Sequence, residues 1–301
     1  MLIKHPVWQA RIHRFRRNRL GFFSLIMFSL IFLACMGANL IANDKPILVN
    51  YQNHWYFPIV KSYPETTFGG VFETEANYQD PVVKDLINQH GYMIEPVIPF
   101  ADQTPSVMRS VPFPALPNAQ NWLGTDDQGR DVLARVLYGL RVSLLFGLAL
   151  TVAGSIIGIA VGAVQGYFGG WTDLVGQRLM EVWGGLPQLF MIIILVSLFS
   201  PSVFVLFGLM LLFGWMGLVG LVRAEFLRAR NFDYVRSAKA MGVSDAKIMF
   251  RHILPNAMSS SLSQLPFILT ANITALTTLD YLGYGLPAGS PSLGELISQG
   301  K

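Results

Sequence analysis

The sequence predicts an all-α membrane protein that crosses a bilayer five times, with a large polar insert between the first and second crossings. Three observations carry this. Of 301 residues, 52% are hydrophobic and 13% charged, about half the charged share of a soluble domain. Charge-free runs cover residues 22–41, 142–172, 182–222 and 257–279, and a helix needs about 20 such residues to span the bilayer core. The remaining charges are sorted by segment. Residues 1–21 hold six Lys or Arg and no acid, residues 43–128 hold four against ten Asp or Glu, and residues 223–256 hold seven against three. That split marks loop topology, with basic loops inside, rather than a nucleic-acid footprint.

The basic N-terminus, residues 1–21, carries Lys4, Arg11, Arg14, Arg16, Arg17 and Arg19. It precedes the first span, 22–41, and is predicted to be cytoplasmic. The run is long and lacks a small-x-small cleavage site before Asn43, which predicts a retained anchor rather than a signal peptide. Cys35 is the lone cysteine, so no intramolecular disulfide can form.

Residues 42–128 form the insert on the outer side. Trp55, Tyr56 and Phe57 suit a small aromatic core or a ligand surface. One short helix is predicted over 80–89, and Pro96, Pro99, Pro105, Pro112, Pro114 and Pro117 keep the remainder extended. No metal-ligand spacing and no catalytic triad is visible, so no catalytic or metal residue is expected.

The core, 129–301, opens on a turn-rich approach to the second span. Asp126, Asp127 and Asp131 read as cation ligands or, more commonly, as surface carboxylates. Arg130, Arg135 and Arg141 lie on the outer side against the charge bias, and Arg141 can snorkel. Gly154, Gly158, Gly162 and Gly166 recur every four residues. They form one helical stripe, the pattern by which helices approach closely in lipid. Gly169 and Gly170 end that helix, and Asp173, Arg178 and Glu181 mark a short inner loop.

Residues 182–222 are twice the length of one span. Ser200-Pro201-Ser202 divides them into a third span, 182–199, with a kink at Pro187, and a fourth, 203–222. The fifth, 257–279, is rich in polar residues, among them Ser259, Ser260, Ser261, Ser263 and Gln264. Thr270, Asn272, Thr274, Thr277 and Thr278 either line a translocation path or bond to neighbouring helices.

Between the fourth and fifth spans lies the charged, helix-forming segment 231–256. Its residues predict two short helices. Asn231 caps the first, with Asp233 in its first turn. Gly242 stops it, Ser244 caps the second with Asp245 following, and Pro255 ends it. Ile248 and Met249 supply apolar anchors, while Lys247 and Arg251 share another face. On physics alone the segment is either a solvated loop or a surface offered to a soluble partner.

Ala238, Gly242 and Leu254-Pro255 resemble the "EAA" motif of ABC importer permeases. Ser237, Lys239 and His252 stand where that motif has Glu, Ala and Ile. The string 121–143, beginning Asn121-Trp122-Leu123-Gly124-Thr125-Asp126, resembles the signature of C-type permeases of oligopeptide and dipeptide importers. The insert is most similar to the Yej-type branch of that family.

The resemblance implies type I ABC importer permease helices in the bacterial inner membrane, with a periplasmic insert. It implies that Ala238, Gly242, Ser244, Asp245, Ile248, Met249, Leu254 and Pro255 couple to an ATPase, Gly242 setting the turn and Ile248 and Met249 filling the ATPase groove. Implied partners are a second permease subunit, ABC ATPase subunits that use ATP and Mg, a periplasmic substrate-binding protein and the lipid membrane, with no nucleic acid. This chain would bind no cofactor and would be no enzyme. Peptide-like cargo is implied, microcin C included. A permease for nickel or another metal chelate is the alternative. An ATP-independent secondary transporter is disfavoured, because no mid-span charge offers an ion relay. The family has a sixth span, so a chain ending at Lys301 after five is expected to be a shortened form of a longer protein.

Overall fold

The computed structural model describes residues 15–105 and 112–300. Lys4, Arg11, Arg14 and Lys301, and the side chains of Ser259 and Ser260, lie outside the described residues. The chain is mostly helical and divides into two compact units, Met1–Arg141 and Val142–Lys301.

In the first unit, α1 (Arg19–Met36) starts where the Asn18 side chain accepts the Gly21 N–H. Phe23, Leu25, Ile26, Phe28 and Ile31, which together go round the helix, are all exposed, so the helix is apolar on every side, as a lipid-facing rod is. After Gly37 comes the single turn α2 (Ala38–Ile41).

The insert is not all-α. It holds a three-stranded antiparallel sheet of β1 (Leu48–Tyr51), β2 (His54–Tyr56) and β3 (Gly91–Ile94), with β1 central. Val49 faces Tyr56 on one side and Met93 on the other. Gln52 and Asn53, both at positive φ, form the tight turn that right-twisted strands need. Strands of three and four residues are too short to show an alternation in sequence. The expected helix is present as α3 (Pro81–His90), capped by the Asp80 carboxylate on the Val82 N–H. Helix and sheet enclose Val49, Phe68, Tyr78, Val83 and Ile87. Tyr51, Tyr56, Tyr63 and Tyr78 meet the Phe68 ring edge-on, the favoured aromatic geometry. Trp55 and Phe57 stay exposed. Burial, and secondarily the nearby Glu75, raises the Tyr78 phenol above its usual range, while the hydrogen bond from Lys45 holds the Glu75 carboxyl below its own.

The second span begins at α4 (Val132–Phe168), 37 residues, or about 55 Å at 1.5 Å per residue. Asp131 caps it, accepting the Ala134 N–H at 2.7 Å and the Asn121 side-chain amide at 2.8 Å. Asp126 accepts from Arg130 Nε at 2.7 Å and lies 3.4 Å from Arg135 Nη1. Asp126, Asp131, Arg130 and Arg135 are all buried. The surface-carboxylate reading therefore holds for Asp127, which is exposed, and fails for Asp126 and Asp131. Sequence spacing does not reveal that two arginines fold back over one carboxylate. The first turns of α4 belong to the first unit: Ala134 packs with Ala42, Ile98 and Phe100, and Tyr138 Oη donates to the Ala42 carbonyl at 2.9 Å.

In the second unit α4 ends where expected, with Gly169 at φ 64°. The expected inner loop around Asp173, Arg178 and Glu181 is instead helix α5 (Gly170–Gly184). It is bent by 71° from α6 (Gln188–Ser197), so the expected kink at Pro187 is present, with helix on its N-terminal side reaching back to Gly170 rather than starting at 182. Pro187, just before α6, cannot donate to a preceding turn and breaks the helix there. The fourth span is one rod of α7 (Val203–Gly214), a 3₁₀ turn (Trp215–Leu218) and α8 (Val219–Ala229).

The glycine stripe of α4 lies against this rod. A Cβ at Gly158, Gly162 or Gly166 would stand 2.5, 2.7 or 2.5 Å from the carbonyl oxygens of Trp215, Val219 and Arg223. The four-residue step of the stripe thus matches a four-residue step in its partner. Arg223 also forks onto the Asp173 carboxylate of α5, with Nη2 at 2.6 Å, which ties three elements together at one level.

Segment 231–256 contains α9 (Asp233–Ala240), α10 (Asp245–Lys247) and a π turn (Ile248–Ile253). The fifth run is divided into α11 (Leu254–Leu262) and α12 (Leu265–Tyr281). Pro266, in the first turn of α12, offers no N–H to the preceding turn, which explains the break near Ser263 and Gln264. The last helix is α13 (Leu293–Gln299), capped by Ser292. Among the described residues three helices are long and apolar enough to cross a membrane, and the bent α5–α6 pair would make four.

Candidate coupling segment and path helix

The segment departs from its predicted grammar in three places. Asn231 does not cap α9. Phe232 occupies that position without a side-chain cap, and Asn231 Nδ2 turns back to the Leu227 carbonyl at 3.3 Å. Ser244 does sit at the cap of α10, but its hydroxyl makes no capping bond. Pro255 does not end the second helix: α10, the π turn and α11 follow one another from Asp245 to Leu262. A proline normally clashes with the carbonyl four residues earlier, here Arg251. The wider π turn just ahead of Pro255 relieves that clash.

Gly242 stands where the chain must turn. Its φ is +76°. Its N–H donates to the Lys239 carbonyl at 3.0 Å, and the Val243 N–H donates to the Ala238 carbonyl at 3.1 Å. This pair of bonds is the Schellman arrangement that closes a helix through a left-handed glycine. Val243 packs against the core that includes Ala238, the apolar contact that accompanies the motif.

The apolar anchors face inward. Ile248 is 0% and Met249 8% exposed. Both belong to a core with Val235, Ala238, Ile253 and, from α4 and α8, Tyr167 and Phe226. They fasten the segment to its own chain and cannot fill a groove on another protein while buried there. The side chains turned outward are Phe232, Tyr234, Met241 and Phe250, the last two 76% and 69% exposed. One signal in the sequence points to Phe250. Three consecutive apolar residues, 248–250, sweep about 200° of a helix, so one of them must leave the buried face. An apolar groove of about 630 Å³ runs beside Phe250, walled by Ile156, Ala160 and Val164 of α4 and by Ala246 and Met258.

In α12 the five predicted path residues separate. Thr270, Thr274, Thr277 and Thr278 fall within an arc of about 100°, and Thr270 and Thr274 are exposed. The hydroxyls of Thr270, Thr277 and Thr278 donate to the carbonyls of Pro266, Ile273 and Thr274 in the preceding turn. Each hydroxyl thus has a partner within its own helix. Leu276 and Leu279, on the other side, are buried. Asn272 lies with that buried side, its Nδ2 donating to Thr151 Oγ1 of α4 at 3.0 Å, while Thr151 Oγ1 donates to the Gly147 carbonyl at 2.7 Å. Asn272 therefore ties two helices together, the second of its two expected readings, rather than joining the threonines on the candidate path face. Thr151→Val, of nearly equal volume, leaves that amide without its acceptor. A loss of about 1 kcal/mol is expected, read as a melting temperature about 2–4 °C lower in detergent.

Among the described residues no group of three or more His, Cys, Asp or Glu could hold a metal ion.

Residues 144–301 match the family model of the binding-protein-dependent transport system inner membrane component. Residues 7–58 match the N-terminal TM domain of oligopeptide transport permease C. The chain is 55% identical over 296 residues to the inner membrane ABC transporter permease protein YejE of Escherichia coli, covering 98% of this chain and 87% of that relative. It is 48% identical to the peptidoglycan transport system permease protein YejE of Agrobacterium fabrum, covering 98% of this chain and 84% of that relative. Over 184 residues it is 34% identical to the oligopeptide transport system permease protein OppC of Bacillus subtilis, covering 61% of this chain and 60% of that relative.

Proposed function

This chain belongs to the family of binding-protein-dependent transport system inner membrane components, and from that premise we propose how it works as a permease subunit of an ABC importer for peptides. It is a transport subunit rather than an enzyme. ATP with its Mg²⁺ is used in a partner ATPase, and this chain binds no cofactor of its own. A second permease subunit completes the path, and a periplasmic binding protein delivers cargo to the outer face. The spans number five, the N-terminus is cytoplasmic, and the insert faces the periplasm of a bacterial inner membrane.

Segment 231–256 is the part the ATPase moves. One observation carries this: its inner face is built into the core of α4 and α8, while its outer face presents exposed aromatic and thioether side chains. A loop without that inner face would absorb a push. A segment packed as part of the core transmits it, and interactions that differ between two ATPase states can then bias two arrangements of the spans. Gly242 sets the angle between the two helices. Ala238, Ile248, Met249 and Leu254 bind the segment to the spans, Ser244 and Asp245 start the second helix, and Pro255 lies where it joins α11. Phe232, Tyr234, Met241 and Phe250 meet the ATPase. On α12, Thr270, Thr274, Thr277 and Thr278 present a mildly polar face suited to passing peptides of varied side chains. No observation favours metal-chelate cargo or ATP-independent transport.

The test is reconstitution of the complex with ATPase, second permease and binding protein in proteoliposomes. Uptake of a labelled short-peptide mixture is expected with ATP and not with a non-hydrolysable analogue. Equal uptake without ATP would overturn the reading. Phe250→Glu places a charge on the docking face at an already exposed position. It is expected to weaken ATPase retention on the purified permease about tenfold, the equivalent of ~1.4 kcal/mol, while the chain still enters the membrane.

A further inference from the structure

We propose that Tyr167, at the end of α4, is the residue through which movement of segment 231–256 reaches the second span. It is a positioning residue that acts through Asp245, and the proposal rests on the coupling reading above.

Tyr167 is the penultimate residue of α4 and is 7% exposed. Its hydroxyl donates to Asp245 Oδ1, in the first turn of α10, at 2.5 Å. Lys239 of α9 brings its Nζ to 5.9 Å from the Tyr167 ring centroid and to 4.0 Å from the same Asp245 oxygen. Arg230, just after α8, donates Nη1 to the Tyr167 carbonyl at 3.4 Å. The same guanidinium lies where a Cβ on Gly169 would stand, 2.2 Å from it. One residue of the second span is thus touched on its side chain by α9 and α10 and on its backbone carbonyl by the residue leading out of α8.

Packing alone does not supply this link. The apolar core around Ile248 and Met249 resists compression, but its contacts carry no preferred direction and permit sliding along the helix. A hydrogen bond weakens steeply when its angle is lost. The Tyr167–Asp245 bond therefore fixes the register between α10 and the end of α4, so that a shift of one becomes a shift of the other.

Tyr167→Phe keeps the ring in the core and removes only the hydroxyl. In the complete reconstituted complex, peptide taken up per ATP hydrolysed is the quantity to measure, because a purely structural role would lower yield without changing that ratio. Tyr167→Phe is expected to lower the ratio by about fivefold or more, with ATP hydrolysis continuing. Asp245→Ala, which leaves the Tyr167 hydroxyl no acceptor there, should do the same, and the double variant should be no worse than either single, since both remove one interaction. If Tyr167→Phe accumulates poorly, Asp245→Ala reads the same bond from its less buried side. A wild-type ratio in either single variant, or additive losses in the double, overturns the proposal. Wild-type complex that shows no ATP-dependent uptake overturns the coupling reading itself, which separates the two failures.

Discussion

Gly242→Pro is expected to abolish ATP-driven uptake while the chain still inserts into the membrane. Proline holds φ near −65°, whereas residue 242 sits at +76°. It also removes the N–H that donates to the Lys239 carbonyl. Both bonds of the Schellman closure are lost, and α10 must leave α9 in another direction. The spans keep their apolar surfaces, so insertion should persist. Gly242→Ala separates conformation from contact, because a Cβ there would meet no atom within 4 Å. Left-handed backbone angles cost an L-residue about 1–2 kcal/mol, so a partial loss of uptake is expected. Measured uptake should therefore rank wild type, then alanine, then proline at background. Normal uptake by the proline variant would show that the turn angle does not matter to transport.

Gly162→Leu is expected to prevent the second unit from folding, read as loss of monodisperse protein after detergent extraction. A Cβ at 162 would stand 2.7 Å from the Val219 carbonyl oxygen and 3.0 Å from Val222 Cβ. The obstacle is mainly backbone, which cannot rotate aside as a side chain can, so the penalty should exceed the 1–3 kcal/mol usual for overpacking. Neighbouring glycines give a graded control. Gly158→Ala should be nearly as harmful, since its Cβ would lie 2.5 Å from the Trp215 carbonyl oxygen. Gly154→Ala should be tolerated, its nearest contact being 3.6 Å. Gly208→Ala, with no atom within 4 Å, should be neutral or slightly stabilising, as alanine favours helix. Equal tolerance at all four positions would mean that α4 does not pack on the fourth span in this way.

The sequence by itself determined the apolar runs, the glycine stripe, the helix end at Gly169, the break near Pro187 and the turn at Gly242. Each is a local property: charge-free length, a four-residue period, or a residue with unusual backbone freedom can be read without knowing what lies across the fold. The resemblance at 121–143 and at Ala238 to Pro255 was legible in the same way, as residues at fixed spacing. Tertiary structure alone decided which side of the coupling segment is buried. Ile248 and Met249 look like exposed anchors in a charged stretch, yet both are buried in a core shared with Tyr167 of α4 and Phe226 of α8. It also decided that Asn272 bonds to Thr151, 121 residues away, and that Asp245 bonds to Tyr167, 78 residues away. The physical reason is common to all of these. A polar side chain or an apolar face acquires its role from the partner that desolvates it, and such partners, brought together by folding, leave no period or spacing in the chain.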